Sequence, residues 1–318
     1  MSPARTSDSH RALPAPRVGP PEALPEREMD PLLLAALAED LGGEVDPARD
    51  VTSRVTLAPG AKARGRLVAK SKGVLAGLPM FARVFELLDP DVQSTALARD
   101  GDAIAPGQEL LRVEGDARAL LVGERTALNV VQRLSGIATQ TARYVERVAG
   151  RARVLDTRKT TPGRRRFDRY AVRCGGGENH RYGLFDEAMV KNNHLDLSGE
   201  RLAVLLARLR AELGQEVRIT AEARDLAEAE EAVRGGADVV LLDNFAPPRL
   251  AEVLVGLRAL AAELGHTVEF EASGGIEFGT LDGFAASGVD RLSIGALTHS
   301  APSLDLSFAL GRAGVEGR

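Results

Sequence analysis

The sequence predicts an α/β fold, a complete or incomplete barrel of parallel strands behind a mixed α/β unit, with an open doubly wound sheet as the alternative. Three observations carry this. Apolar strand-sized runs alternate with helical segments from about residue 153 onward, the rhythm of parallel strand–helix units. A polar or glycine residue stands at or just beyond the C-terminal end of each run, where barrel enzymes build their sites. The length of 318 residues and a hydrophobic content of 44% suffice for one large domain or two ordinary ones with a sizeable core.

In chain order, residues 1–28 are rich in Pro, Ala, Arg and Ser, lack hydrophobic periodicity and read as a disordered tail; their proline content and acidic end disfavour an organelle transit segment. Order is expected from Met29, with Leu32, Leu33, Leu34, Leu37 and Leu41 on a short helix stopped by Gly42 and Gly43. Residues 50–53 read as a turn. Short strands follow over 63–75, punctuated by Gly65, Gly73 and Gly77, then a helix over 79–88 and a strand-and-turn region over 91–115. Three- and four-residue steps from Leu120 to Val148 predict two helical segments, with Ser135 and Gly136 as the bend or break. The barrel strands are expected near Val154, Val190, Ile219, Val240, Phe270 and Leu292. Between them, Ser198 reads as the N-cap of a helix ending at Gly214, and Pro247-Pro248 opens another.

Composition excludes several classes of function. Net charge −4, 4% aromatics and no Trp argue against a nucleic-acid partner. No apolar run approaches the roughly 20 residues of a membrane span. The one cysteine, Cys174, leaves no internal disulfide framework and fits a reducing, cytoplasmic setting. It lacks a nucleophile motif and reads as a structural thiol.

Against the acidic average, residues 155–194 gather Arg158, Lys159, Arg164, Arg165, Arg166, Arg169, Arg173, Arg181 and Lys191 among glycines, His180 and His194. This points to an anion site rather than a solvated basic face. The run at Arg164 to Arg166 itself reads mainly as a solvated helix start. The groups expected to converge at the strand ends are Arg158, Lys159, Lys191, Glu222, Asp243, Ser273, Gly274, Gly275, Ser293 and Gly295. The Ser-Gly-Gly and Ser-Ile-Gly turns suit a phosphate, because glycine lets oxygen atoms reach backbone N–H groups. Glu222 and Asp243 admit two readings, an ion pair with Lys159 or Lys191, or recognition of hydroxyls and Mg²⁺. His180 and His194 lack metal-site spacing, and Gly175 to Gly177 lack nucleotide-loop spacing. A sugar phosphate with a diphosphate, meeting a polycarboxylate, would use the whole set.

Longer motifs add to this. Glu124-Arg125-Thr126-Ala127-Leu128-Asn129, Asp156-Thr157-Arg158-Lys159-Thr160-Thr161-Pro162-Gly163, Asn179-His180-Arg181, Leu241-Leu242-Asp243-Asn244-Phe245, Glu271-Ala272-Ser273-Gly274-Gly275-Ile276 and Gly295-Ala296-Leu297-Thr298-His299 stand in order along the chain. From about Leu32 to Leu310 the sequence resembles the quinolinate phosphoribosyltransferase family. The resemblance implies an incomplete (β/α) barrel over 128–297 and an N-terminal α/β sandwich over 29–127, completed by 298–318. It implies transfer of phosphoribose from phosphoribosyl pyrophosphate to quinolinate, giving nicotinate mononucleotide, pyrophosphate and CO₂, with Mg²⁺, in a homodimer with a shared site.

Site roles follow from the same resemblance. Arg125 would reach a partner's quinolinate. Arg158, His180, Arg181 and Lys191 would surround the carboxylates, and Lys159 would face the pyrophosphate. Glu222 and Asp243 would hold ribose hydroxyls and, indirectly, Mg²⁺. Ser273, Gly274, Gly275, Ser293 and Gly295 would line the 5′-phosphate site. The chain departs from the family pattern at Thr220, where a glutamate is usual, at Asn192, and at Arg164, Arg166 and Phe167. Three other functions stay in view: a related transferase acting on another aromatic acid, a phosphate-barrel lyase or isomerase, and a non-catalytic binding protein.

Overall fold

The computed structural model describes residues 21–313. Most of the expected tail, residues 1–20, lies outside the described residues, as do residues 314–318. Helix α1 (Glu26–Leu41) begins inside that expected tail. It is held there by ion pairs that periodicity does not register: Glu26 and Asp30 meet Arg83 at 3.1 and 2.9 Å, and Glu28 meets Arg166.

After a one-turn helix at Pro47–Arg49, α2 (Val51–Thr56) replaces the expected turn. Asp50 caps it, its carboxylate accepting the Thr52 N–H at 3.0 Å. Then come β1 (Lys62–Ala69), β2 (Gly73–Val74), α3 (Leu78–Glu86), β3 (Gln93–Ala96), β4 (Ala103–Ile104) and β5 (Glu109–Asp116).

Helix α4 (Ala117–Val148) is one continuous helix of 32 residues, not two segments. Gly136 does not break it. A Cβ there would lie 1.9 Å from the carbonyl oxygen of Pro302, so the residue is small because another backbone passes against it. Ser135 is equally structural, its hydroxyl accepting the Ala76 N–H at 3.0 Å. Asp116 caps this helix through the Arg118 and Ala119 amides.

The barrel follows: β6 (Arg153–Leu155), α5 (Arg165–Cys174), β7 (Ala188–Val190), α6 (Asn192–Ser198), α7 (Leu202–Leu213), β8 (Ile219–Ala223), α8 (Leu226–Arg234), β9 (Val239–Asp243), α9 (Pro247–Leu264), β10 (Glu269–Ser273), α10 (Leu281–Ala286), β11 (Arg291–Ser293) and α11 (Ala296–His299). Ser198 ends α6 rather than capping the next helix, and Gly199 takes the left-handed C-cap with φ 66°. All strand pairs are parallel, in the order β6-β11-β10-β9-β8-β7. This is the cyclic order of a barrel with one seam open, between its first and second strands. A doubly wound sheet would instead reverse direction at a central switch point. At the seam, residue Glu178 bridges Leu155 in parallel fashion and partly covers the edge of β6.

The chain then returns to its start. Strand β12 (Leu306–Arg312) pairs antiparallel with β1, giving a sheet ordered β12-β1-β5-β3. Gly65 is not a turn here but mid-strand: a Cβ on it would lie 2.0 Å from the Phe308 ring. That ring packs 5.3 Å from Phe81 and 5.4 Å from Phe85, joining sheet to α3. The N-terminal unit is tied to α5 by Tyr170, whose hydroxyl donates to buried Asp100 at 2.7 Å. Among the described residues no helix is long and apolar enough to cross a membrane.

Candidate active site at the barrel rim

Strand pairing aligns the expected site residues. Asp243 pairs with Ser273, and Ser273 with Ser293, so the ends of β9, β10 and β11 present one row. The row below holds Glu222, Leu241, Glu271 and Arg291. Because side chains alternate along a strand, both rows face the barrel axis.

Around this rim the cations are unevenly partnered. Lys191 Nζ lies 2.9 Å from Glu222, which also accepts the Asn192 N–H at 3.3 Å. The ion-pair reading of Glu222 therefore holds in the free chain. His194 is a capping residue, its Nδ1 accepting the Lys191 N–H at 2.8 Å. Arg158 and Lys159 are exposed. Lys159 is fixed by its backbone, whose carbonyl accepts the Thr298 hydroxyl at 2.8 Å. Burial pushes the Asp243 carboxyl up, and so does the charge of Glu222, while Lys191 and Lys159 pull it down. Those four side chains thus share one electrostatic neighbourhood. Arg181 is 8% exposed and donates to the Glu187 carbonyl at 3.1 Å. Burial and the nearby Arg158 charge lower its pKa, with Glu187 and Asp186 opposing. Crowded, partly desolvated guanidiniums are poised for an anion that would neutralise them. A small cleft beside them is walled by Thr160, Thr161, Pro162, Gly163, Arg165 and Tyr182.

The glycine turns are built as cradles. Gly274 and Gly275 both have positive φ, 88° and 63°. A side chain at Gly274 would strike Asn244 Oδ1, 2.1 Å away. Asn244 itself takes φ 59° and donates from Nδ2 to Asp243 at 2.8 Å, steering that carboxylate. Ser293 is buried, and its hydroxyl turns inward to the Ala272 carbonyl at 3.4 Å, leaving the backbone of its turn at the rim. Gly295 has the Lys159 stem and the His299 ring within 3.1 Å of its missing Cβ.

Two expected residues behave differently from the rest. Arg125 sits on an exposed face of α4 with no partner among the described residues, and nothing in the single chain brings it to the rim. His180 is 7% exposed, and both its ring nitrogens are engaged inside the protein, Nε2 with Glu271 at 3.1 Å and Nδ1 with the Arg181 N–H at 2.7 Å. Its backbone N–H donates to Asp156 at 2.8 Å. Burial raises the Asp156 carboxyl to about 6, against Arg169, the His180 amide and Asn179.

The arginine run is a helix start, as expected, but only Arg166 is exposed. Arg164 is partly buried, Arg165 donates to the Tyr182 carbonyl at 2.9 Å, and Arg166 pairs with Glu28. The segment around Tyr182 and the start of α1 fold over it, which no local pattern foretells. Cys174 is buried, and burial pushes its thiol up, away from thiolate chemistry at neutral pH.

Sequence reasoning gave Glu271 and Glu187 no role. Glu187 accepts the hydroxyl of fully buried Thr220 at 2.5 Å, so a carboxylate still stands at that place on the barrel floor. The signal for Glu271 was present: it and Glu269 are charges at alternate positions of an otherwise apolar strand. Among the described residues no group of three His, Cys, Asp or Glu side chains is placed to hold a metal ion.

An open parallel barrel whose rim combines a glycine cradle, paired carboxylates and clustered cations defines an enzyme of the pentosyltransferase class. Residues 50–135 match the quinolinate phosphoribosyl transferase N-terminal domain, and residues 137–309 match its C-terminal domain. A Rattus norvegicus protein named nicotinate-nucleotide pyrophosphorylase [carboxylating] is 40% identical over 89% of this chain and 92% of its own length. A Bacillus subtilis protein, named a probable enzyme of the same kind, is 42% identical over 76% of this chain and 81% of its own. The crystal structure of NadC from Streptococcus pyogenes superposes with a TM-score of 0.84 at 38% identity, covering 92% of this chain and 99% of that one. The chain belongs to the quinolinate phosphoribosyltransferase family.

Proposed function

We propose that the rim binds quinolinate and phosphoribosyl pyrophosphate side by side, with the residue roles that follow. Arg158, Arg181 and Lys191 take the two carboxylates, with His180 in the wall behind them and Arg125 supplied by a second copy in a homodimer. Lys159 faces the pyrophosphate. Glu222 and Asp243 hold the ribose hydroxyls. The 5′-phosphate lies in the turns at Ser273, Gly274, Gly275, Ser293 and Gly295. The observation that carries this reading is the shared neighbourhood of Lys159, Lys191, Glu222 and Asp243 beside a positive-φ glycine cradle.

The reaction is the family's: quinolinate and phosphoribosyl pyrophosphate give nicotinate mononucleotide, pyrophosphate and CO₂, a step of de novo NAD synthesis. The arginine forks hold the dianion so that its ring nitrogen faces the anomeric carbon. As pyrophosphate leaves, positive charge grows on the ribose and negative charge on the leaving oxygens. Glu222 and Asp243 oppose the first and Lys159 the second. The ring nitrogen, now cationic, withdraws electrons from the adjacent carboxylate, and CO₂ departs.

Mg²⁺ fits the pair Glu222 and Asp243. Burial and, after it, the charge of Glu222 raise Asp243, and a divalent cation coordinated mainly by substrate oxygens would relieve the repulsion between the two. When bound, the ion offsets charge on the departing pyrophosphate. The one cysteine among the described residues is a buried free thiol, which supports a cytoplasmic setting. Purified protein given Mg²⁺, quinolinate and phosphoribosyl pyrophosphate is expected to release nicotinate mononucleotide and CO₂. Turnover of nicotinate in place of quinolinate would overturn the substrate assignment.

A further inference from the structure

Among the described residues, Glu271 is one of several buried acids that the site roles above leave unused. Glu271 is wholly enclosed on β10, two residues before Ser273 and on the same face. Its Oε1 lies 3.1 Å from His180 Nε2, and its Oε2 lies 3.0 Å from Arg291 Nε. The Ser293 hydroxyl faces the same carboxylate. Burial pushes the Glu271 carboxyl up, while the His180 hydrogen bond, the Arg291 charge and Ser293 pull it down.

The tautomer of His180 follows from its partners. Nδ1 lies 2.7 Å from the backbone nitrogen of Arg181, a group that can only donate. A ring nitrogen that accepts carries no proton, so the proton is on Nε2, and the Glu271 carboxylate accepts it. An imidazolium would set two N–H groups against each other at the Arg181 amide. Neither ring nitrogen then has a proton to give a substrate. What remains to the site at this point of the wall is the guanidinium of Arg181, the next residue.

We infer that Glu271 is a positioning residue for the dicarboxylate site: it locks His180 as the neutral Nε2–H tautomer, and the locked ring holds the Arg181 backbone, and with it the guanidinium, in place. His180 is thereby a bracket, not a donor of a ring N–H to a carboxylate. This rests on the quinolinate reading of the rim. The bracket is anchored from below. Arg291 is shared with Glu269 at 3.3 Å, and Glu269 is gripped by Arg153 and, at 3.1 Å, by Arg218. Asp156 fixes the other side through the His180 amide and the Asn179 side chain, at 2.8 and 2.6 Å.

The test is NMR of full-length protein carrying ¹⁵N-labelled histidine, alone and with quinolinate, beside steady-state kinetics. His180 should show a protonated Nε2 and a bare Nδ1 in both states. In Glu271→Gln, which keeps the shape but loses the charge opposite Arg291, the KM for quinolinate should rise roughly tenfold with kcat changed far less and the KM for phosphoribosyl pyrophosphate unmoved. A protonated Nδ1 or an imidazolium at His180 in the quinolinate-bound protein overturns the inference. So does an unchanged quinolinate KM in the folded variant. Failure of the underlying site reading looks different: Arg181→Ala would then bind quinolinate as wild type, whatever the His180 spectrum shows.

Discussion

The rim of the barrel and the rows beneath it use the same residue types to opposite ends. On the floor, Glu269, Glu271, Arg153, Arg218 and Arg291 are tied to one another, and Arg291 is only 2% exposed. At the rim, Arg158 and Lys159 are exposed, and their side chains have no ionic partner among the described residues. Barrel interiors are commonly filled by Val, Ile and Leu. Here paired charge fills part of the floor, so its value is geometric: it fixes what stands above it. Unpaired charge at the rim is what the proposed anion site would use. The lesson is that local charge density does not separate Arg158 and Lys159 from the floor; the state of pairing does.

The largest effect is expected on the floor. Arg291→Ala leaves Glu271 buried without its cation and should cost about 3–5 kcal/mol of stability, read from denaturant unfolding. A loss under about 1 kcal/mol would mean the floor is not held by these pairs. Next is the rim. Lys159→Ala should leave the melting temperature nearly unchanged yet lower kcat/KM about 10²–10³-fold; a matching loss of stability would make Lys159 structural, like the floor. Hybrid dimers show whether one chain holds the whole rim. Mixing inactive Arg125→Ala and Lys159→Ala proteins should form hybrid dimers with one intact site, roughly tenfold or more above either alone. With subunit exchange confirmed, absence of rescue rules out a shared site.

The smallest expected effect is a slope with pH. Glu271 is held at about 2 in the fold against 4.5 unfolded, so its contribution is complete above about pH 4.5 and is lost as pH falls towards 2. Asp156, raised to about 6 from 3.8, works the other way: its contribution is complete below about 3.8 and is lost as pH rises through 6. Glu271→Gln should therefore flatten the fall of melting temperature between pH 4.5 and 2, and leave the slope between 4 and 6 as in wild type. An unaltered acid limb would show that Glu271 is not ionised in the fold.

Much of the architecture was legible because it is written at short range. The six barrel strands near Val154, Val190, Ile219, Val240, Phe270 and Leu292 follow from apolar runs and their punctuation, and the observed strands contain all six. The glycine cradle was legible too, since Gly274 and Gly275 adopt backbone angles that favour glycine. Errors fell where a distant segment decides. Ser135-Gly136 reads as a helix break until Pro302 is laid against it, and Gly65 reads as a turn until Phe308 covers it. Asp50 and Ser198 were exchanged in role, one a cap taken for a turn, the other a helix end taken for a cap, because short helices carry little periodicity.

By itself, then, the sequence determined the strand–helix rhythm, the backbone needs of the glycine turns and the family motifs, all properties of neighbouring residues. Only the tertiary structure decided which charges are free. Arg165 and Arg166 are drawn against Tyr182 and Glu28, the inconspicuous Glu271 captures His180, and Arg158 and Lys159 are left open at the rim. The reason is physical: an ion's availability depends on partners and burial contributed by segments tens to a hundred residues away, and no local pattern encodes them.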